Sequence, residues 1–229
     1  MKYQWVLFDA DHTLFDFDSF TGLNTVLAQY GINLTRTEYD DFQRINQPLW
    51  TDYQNGKIGI AELSEIRFAK LAARAGIAPL ALNARLQQEM AHISRLLPHA
   101  RETLDTLKAH GTKLGIITNG YAALQQPRLD ANRLSGCFDL VEVSETVGIP
   151  KPDVRLFAHA LKQMGNPDPR RVLMVGDSLL SDITGGNRAG MDTCWFNPHA
   201  APNTGSIIPT YEIRRLDEVC TIAFPKQAA

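Results

Sequence analysis

Two carboxylates, Asp9 and Asp11, stand one residue apart near the start of the run VLFDADHTLF, residues 6–15. In an extended chain, residues two apart point to the same side, so their charges repel unless a positive group lies between them. A divalent cation is one such group, because hard cations bind carboxylate oxygens. The pair therefore predicts either a cation site or a structural role in a turn or helix cap.

Further polar residues follow other apolar runs in the same way. Thr118 and Asn119 end the run KLGIITN, and the segment GDSLLSD supplies Asp177 and Asp182 directly after another run. Lys151 stands before a proline that we expect to begin a helix. Taken singly, each of these residues could be a turn former or a solvated side chain.

The elements that position these residues are short apolar strands separated by helical patterns. The predicted strands are YQWVLFD at 3–9, KLGIITN at 113–119, FDLVEVS at 138–144, RVLMVGD at 171–177 and DTCWFN at 192–197. This alternation predicts an α/β fold with a doubly wound, Rossmann-like parallel sheet. Ligands bind such sheets at the carboxyl ends of the strands, where the carboxylates, a hydroxyl and an ammonium would converge. That set of groups suits a hard divalent cation together with a phosphate dianion.

Residues 16–97 have helical rather than strand periodicity. Four amphipathic patterns follow one another, with capping-box spacing before the second and Pro79 at the start of the fourth. Pro48 should kink or interrupt the second helix. We therefore expect a four-helix cap domain at 16–97, inserted into an α/β core domain formed by 1–15 and 98–229.

Composition and charge exclude several classes of protein. The 229 residues are 44% apolar, enough for a globular core, and include 23 basic and 25 acidic residues. No dense cluster of Lys and Arg could neutralise nucleic-acid phosphates, so we expect no nucleic-acid partner. No apolar window approaches the ~20 residues of a membrane span, so we expect no membrane partner. The chain is expected to be a soluble, cytoplasmic monomer.

The order of these motifs resembles the haloacid dehalogenase-like hydrolase family. DADHT matches the family's first motif, D-x-D-x-T, Thr118 the second, Lys151 the third and GDSLLSD the fourth. The helical insertion resembles the family's cap domain. The resemblance implies that Asp9 is the nucleophile and forms an aspartyl phosphate, with Asp11 as general acid and base.

The same resemblance implies roles for the other core residues. Thr118 and the backbone N–H of Asn119 would hold the phosphoryl oxygens, and Lys151 would offset the charge on Asp9 and the phosphoryl group. The implied cofactor is Mg2+, with Mn2+ or Co2+ as substitutes. Its implied ligands are the carboxylates of Asp9 and Asp177 and the backbone carbonyl of Asp11, with Asp182 supporting the ion or a water bound to it.

Within this family, the segments FDADHTLFDFDSFTGL and NQPLWTDYQNGKI resemble the pyrimidine 5'-nucleotidases. This implies a nucleotide substrate such as UMP, dUMP or dTMP, with base contacts from Phe17, Asn46, Trp50 and Tyr53. The aromatic residues among these also have the helical spacing of a bundle core. A sugar phosphate or phosphoglycolate phosphatase is the alternative. A haloacid dehalogenase fits less well, because a halide needs no proton from Asp11, and a phospho-receiver module has no place for the insertion.

Overall fold

The strands and helices are described for residues 1–225 of the chain in a computed structural model. The strands are β1 (Trp5–Phe8), β2 (Lys113–Thr118), β3 (Leu140–Val143), β4 (Val172–Gly176), β5 (Asp192–Phe196) and β6 (Tyr211–Ile213). The helices are α1 (Ser19–Ala28), α2 (Arg36–Gln54), α3 (Ile60–Ala75), α4 (Pro79–Ile93), α5 (Ala100–Ala109), α6 (Ala122–Ala131), α7 (Ser144–Val147), α8 (Val154–Gln163), α9 (Thr184–Arg188) and α10 (Glu218–Ala223). These elements form two compact units.

The first unit, here called the core unit, comprises Met1–Asp16, Arg95–Gly120 and the chain from Leu134 onward. Over residues 1–225 it contains a parallel six-stranded sheet in the order β3-β2-β1-β4-β5-β6. The central strand β1 pairs with β2 and β4, and all four of its residues are buried, as is usual in parallel sheets. The predicted doubly wound α/β fold is confirmed. Strand β6 was not predicted, because three residues are too few to show a periodic pattern.

Helix α8 and three strands build an apolar core on one face of this sheet. Trp5 and Leu7 alternate along β1 toward this face, where they join side chains of β2, β4 and α8 in one buried cluster. Helix α8 begins at Val154 and not at the predicted Pro152. The reason is a cap: the Asp153 side chain accepts the N–H of Arg155 at 2.9 Å and so defines the helix start.

The second unit, here called the helical unit, comprises Phe17–Ser94 and Tyr121–Arg133. Helices α1 to α4 follow the four predicted patterns, and α6 packs against α4. Leu124 of α6 belongs to the buried cluster that also contains residues of α1 to α4. The unit therefore includes a segment that follows β2, which the predicted range 16–97 omits. Among residues 1–225, no helix has both the length and the apolar character needed to cross a membrane.

Local signals explain where the helices of this unit begin and end. The Glu38 N–H donates to the Thr35 hydroxyl at 3.2 Å, and the Thr35 N–H donates to the Glu38 carboxylate at 2.9 Å, which is the predicted capping box. Helix α3 ends before Gly76, whose φ is 68°, and α4 begins at Pro79 as predicted. Pro48 does not interrupt α2, because burial of the helix face offsets one missing backbone bond.

Candidate active site

Asp9 directly follows the central strand β1 and is held in register by the neighbouring strand. Its N–H donates to the carbonyl of Val175 in β4 at 2.9 Å. A tight loop comes next, in which the N–H of Phe15 donates back to the carbonyl of Ala10 at 2.9 Å. The loop reverses the chain within a few residues and defines the backbone path around Asp11.

The Lys151 ammonium is buried, and each of its three protons has an oxygen acceptor. Its Nζ lies 2.7 Å from Oδ1 of Asp9, 2.7 Å from Oδ1 of Asp182 and 2.8 Å from the carbonyl oxygen of Ile117. Burial opposes the charge, but the attraction of Asp182 and Asp9 outweighs it and raises the pKa of Lys151. Lys151 therefore remains protonated and joins two carboxylates that would otherwise repel each other.

Thr118 and Asn119 lie at the end of β2, beside β1. The Asn119 side chain bonds to the Lys151 backbone in both directions: Nδ2 donates to the Lys151 carbonyl at 3.0 Å, and Oδ1 accepts the Lys151 N–H at 2.8 Å. The Thr118 hydroxyl accepts the N–H of Gly120 at 3.0 Å, which leaves its own proton available as a donor. Asn119 therefore positions Lys151, a contact that the sequence did not predict.

The segment after β4 brings two further aspartates to the same strand ends. The backbone carbonyl of Asp177 accepts the indole N–H of Trp195 at 2.8 Å, and its carboxylate lies 3.4 Å from the hydroxyl of Thr13. A π-helical turn, a form often found at functional sites, follows and returns the chain toward the strand. A Cβ on Gly176 would lie 2.2 Å from Oδ2 of Asp182, so only glycine permits this approach.

The carboxylates of Asp9, Asp177 and Asp182 form one cluster, in which each offers an oxygen within 4.8 Å of the others. Burial is the main cause that raises the pKa of Asp9 to about 7 and that of Asp177 to about 8; neighbouring carboxylates add to both shifts and Lys151 opposes them. When all three are ionised, three carboxylates beside one ammonium leave an excess of negative charge. A hard divalent cation with oxygen ligands fits this cluster and would relieve the repulsion.

The sequence matches the profile of the haloacid dehalogenase-like hydrolases over residues 3–190. The matched range contains all four motifs and the three carboxylates of the acidic cluster. The chain belongs to this hydrolase family. The predicted family and enzyme class are therefore confirmed.

The similarity to relatives within the family extends over nearly the whole chain. Pyrimidine 5'-nucleotidase YjjG of Escherichia coli K12 is 46% identical over 219 residues, which are 96% of this chain and 97% of that protein. Pyrimidine 5'-nucleotidase PynA of Streptococcus pneumoniae is 36% identical and covers 93% and 92% of the two chains. The solved structure of the Bacillus subtilis HAD-hydrolase YfnB bound to magnesium has a TM-score of 0.85 and 33% identity and covers 97% and 99%. The likeness therefore includes both units.

The four residues predicted to contact a base all belong to the helical unit. The ring of Trp50 meets that of Tyr53 edge-on, with centroids 5.8 Å apart. Asn46 accepts a hydrogen bond from Arg67 at 3.3 Å, and Phe17 packs against the apolar core of the unit. All four have packing or hydrogen-bond partners within the protein, so their contact with a base stays a prediction.

Three residues of these networks are absent from the predicted site: Thr13, Trp195 and Arg67. Thr13 is the threonine of the D-x-D-x-T motif, so the motif could have indicated it. Trp195 lies in β5 and Arg67 in α3, where their patterns indicate only a buried strand and an amphipathic helix. No local signal identifies the contacts of the last two.

Proposed function

We propose that this hydrolase is a Mg2+-dependent phosphatase that cleaves pyrimidine nucleoside 5'-monophosphates such as UMP, dUMP and dTMP. The observation that carries the proposal is the 46% identity to the E. coli pyrimidine 5'-nucleotidase, because it extends over 96% of the chain. Identity confined to the motifs would support only a phosphatase of some kind. The pneumococcal pyrimidine 5'-nucleotidase, 36% identical, supports the same substrate class.

The core residues would perform two displacements. A carboxylate oxygen of Asp9 attacks the phosphorus, and Asp11 gives a proton to the departing nucleoside oxygen. Asp11 then takes a proton from a water molecule, which attacks the aspartyl phosphate and releases inorganic phosphate with Asp9 restored. Lys151, 2.7 Å from Asp9, reduces the repulsion between this carboxylate and the phosphate dianion. A halide leaving group would need no proton from Asp11, so the presence of Asp11 favours phosphate chemistry over dehalogenation.

The metal site would comprise the carboxylates of Asp9 and Asp177 and the backbone carbonyl of Asp11. Asp182 already accepts hydrogen bonds from Lys151 and, at 3.1 Å, from the N–H of Ser178, so we assign it a supporting place. Mg2+ bound there would neutralise charge on the phosphoryl oxygens, and Mn2+ or Co2+ could replace it.

The remaining phosphoryl oxygens would accept hydrogen bonds from the Thr118 hydroxyl and the Asn119 N–H. We assign base selection to the helical unit, since a leaving group can be recognised only by side chains outside the phosphate site. The candidates are Phe17, Asn46, Trp50 and Tyr53.

Phosphate release from a panel of substrates tests the proposal. The panel contains UMP, dUMP, dTMP, CMP, AMP, glucose 6-phosphate and phosphoglycolate, each with Mg2+ and with excess chelator. We expect UMP, dUMP and dTMP to have a kcat/KM at least about tenfold above AMP and both non-nucleotides. The Asp9→Asn variant is the control for contaminating phosphatase. A preference for phosphoglycolate or the sugar phosphate, or full activity in chelator, would contradict the proposal.

A further inference from the structure

The helical unit contains a buried guanidinium, that of Arg67, which has no carboxylate partner in residues 1–225. Arg67 is only 7% exposed. One of its terminal nitrogens donates to Oδ1 of Asn83 at 2.7 Å and the other to Oδ1 of Asn46 at 3.3 Å. Its Nε has no hydrogen-bond acceptor among the residues that the structure describes. A buried cation without a counter-charge is unfavourable, so its retention needs a reason.

Aromatic rings surround this cation. The guanidinium carbon lies 4.4 Å from the ring centroid of Phe68, 5.3 Å from that of Tyr121 and 5.6 Å from that of Trp50. Burial lowers the pKa of Arg67 and the Tyr121 hydroxyl opposes the shift, but a guanidinium stays charged in proteins. The rings stabilise the charge and also provide flat apolar surface.

Gln87 adds an unused acceptor beside the unused donor. Its Nε2 donates at 3.1 Å to Oδ1 of Asn83, the same oxygen that accepts from Arg67. Its Oε1 has no hydrogen-bond partner in the described part of the chain, although the residue is only 4% exposed. Buried polar atoms are nearly always paired in native proteins, so two unpaired atoms around one shared oxygen suggest that a ligand pairs with them.

We propose that Arg67, Asn83 and Gln87, with the rings of Trp50 and Tyr121, form a binding site for a flat ring that carries carbonyl oxygens and an N–H. The guanidinium would donate to a carbonyl oxygen, the Gln87 oxygen would accept the ring N–H, and an aromatic face would stack on the ring. We call this group the Arg67 site.

Uracil and thymine have the required edge, because an N–H lies between two carbonyl groups in both bases. The inference rests on the proposed function, under which the ligand is the base of the nucleotide substrate. A carboxylate ligand would satisfy the charge of Arg67 but would meet the lone pairs of the Gln87 oxygen.

Two substitutions test the site in different ways. Arg67→Met removes the donor but keeps a long apolar side chain. Asn83→Asp keeps the oxygen acceptor that both Arg67 and Gln87 use, and it places a carboxylate 2.7 Å from the guanidinium. The Arg67 charge would then have a counter-charge within the protein. Because the second variant adds a counter-charge and keeps every hydrogen bond that the Asn83 side chain makes within residues 1–225, we expect it to fold even if the first does not.

The assay is kcat/KM on UMP, dTMP, phenyl phosphate and phosphoglycolate. Arg67→Met should lower kcat/KM for UMP and dTMP by roughly 10- to 100-fold, the effect of losing a hydrogen bond to a charged group. Asn83→Asp keeps that donor, but it should also lower kcat/KM for both substrates, because the new carboxylate pairs with the guanidinium and weakens its bond to the base. Phenyl phosphate and phosphoglycolate should change by less than about threefold, because lost binding energy affects only substrates that have the base. Urea denaturation should show that Asn83→Asp is at least as stable as the wild type. Arg74→Met is the control, since Arg74 lies in the same helix, α3, and pairs with Glu38 at the surface.

Equal losses on all four substrates would overturn the inference and assign Arg67 to packing alone. A loss confined to phosphoglycolate would also overturn it, in favour of an anion site. Wild-type enzyme that does not prefer UMP to phenyl phosphate would refute the proposed function and this inference together. If the wild type has that preference and both variants retain it, only the Arg67 site is refuted.

Discussion

Replacement of Lys151 by methionine tests how the core unit holds its buried charges together. Methionine fills much of the same volume but has no ammonium, so it loses the bonds to Asp9 at 2.7 Å, to Asp182 at 2.7 Å and to the Ile117 carbonyl at 2.8 Å. The Asp182 side chain is fully buried and would lose its cation partner. The variant therefore carries an uncompensated charge inside the fold.

Removal of one partner from a buried ion pair costs about 3–5 kcal/mol, so we expect the free energy of unfolding at pH 7 to fall by about that amount. Arg170→Met breaks the surface pair with Asp168 in the same unit, and its effect should stay below about 1 kcal/mol. Lys151 also lowers the pKa of Asp9, so its loss raises the folded pKa of Asp9 further above the unfolded value. A raised folded pKa gives stability that is lost as the pH rises, so the difference from wild type should shrink toward about pH 4.

Urea denaturation followed by circular dichroism, with chelator present so that no metal replaces the lost charge, measures these free energies. The double variant Lys151→Met/Asp182→Asn provides the sharper comparison. It removes the unpaired charge as well, so it should be more stable than the single lysine variant. A Lys151→Met protein within about 1 kcal/mol of wild type at pH 7 would refute the claim that this ammonium compensates buried charge.

Three further predictions concern turnover, the metal and pH. Asp9→Asn should abolish phosphate release, because an amide cannot form the acyl phosphate; activity above a few per cent would contradict the nucleophile assignment. Asp11→Asn should slow phosphate release roughly 100- to 10,000-fold. Trp195→Phe should raise the Mg2+ concentration for half-maximal activity several-fold, since it removes the donor to the Asp177 carbonyl at 2.8 Å; an unchanged Mg2+ titration would show that Trp195 does not position Asp177. In metal-free protein the folded pKa values of Asp9, about 7, and Asp177, about 8, exceed the unfolded value. The melting temperature should therefore fall as the pH rises from about 5 to 8, and Mg2+ should stabilise the protein more at pH 8 than at pH 5. A metal-free melting temperature that rises over this range would contradict the prediction.

The sequence by itself determined the features that depend on neighbouring residues. The capping box before α2, the proline at the start of α4 and the apolar runs of β1 to β5 could be predicted, because each is a local property of the chain. The convergence of Asp9 and Asp177 could also be predicted, since both follow parallel strands, which bring their carboxyl ends to one edge. The motif order then indicated the family, which the match over residues 3–190 confirmed.

Only the tertiary structure decided which distant residues bond to one another. Asn119 and Lys151 are 32 residues apart, and nothing local to either one indicates that the amide of the first holds the backbone of the second. The same is true of Trp195 on the Asp177 carbonyl and of α6, which packs into the helical unit although it follows a core strand. Pairings of this kind depend on strand order and helix packing, which are set by burial summed over the whole chain, whereas a sequence pattern records only the preferences of each segment.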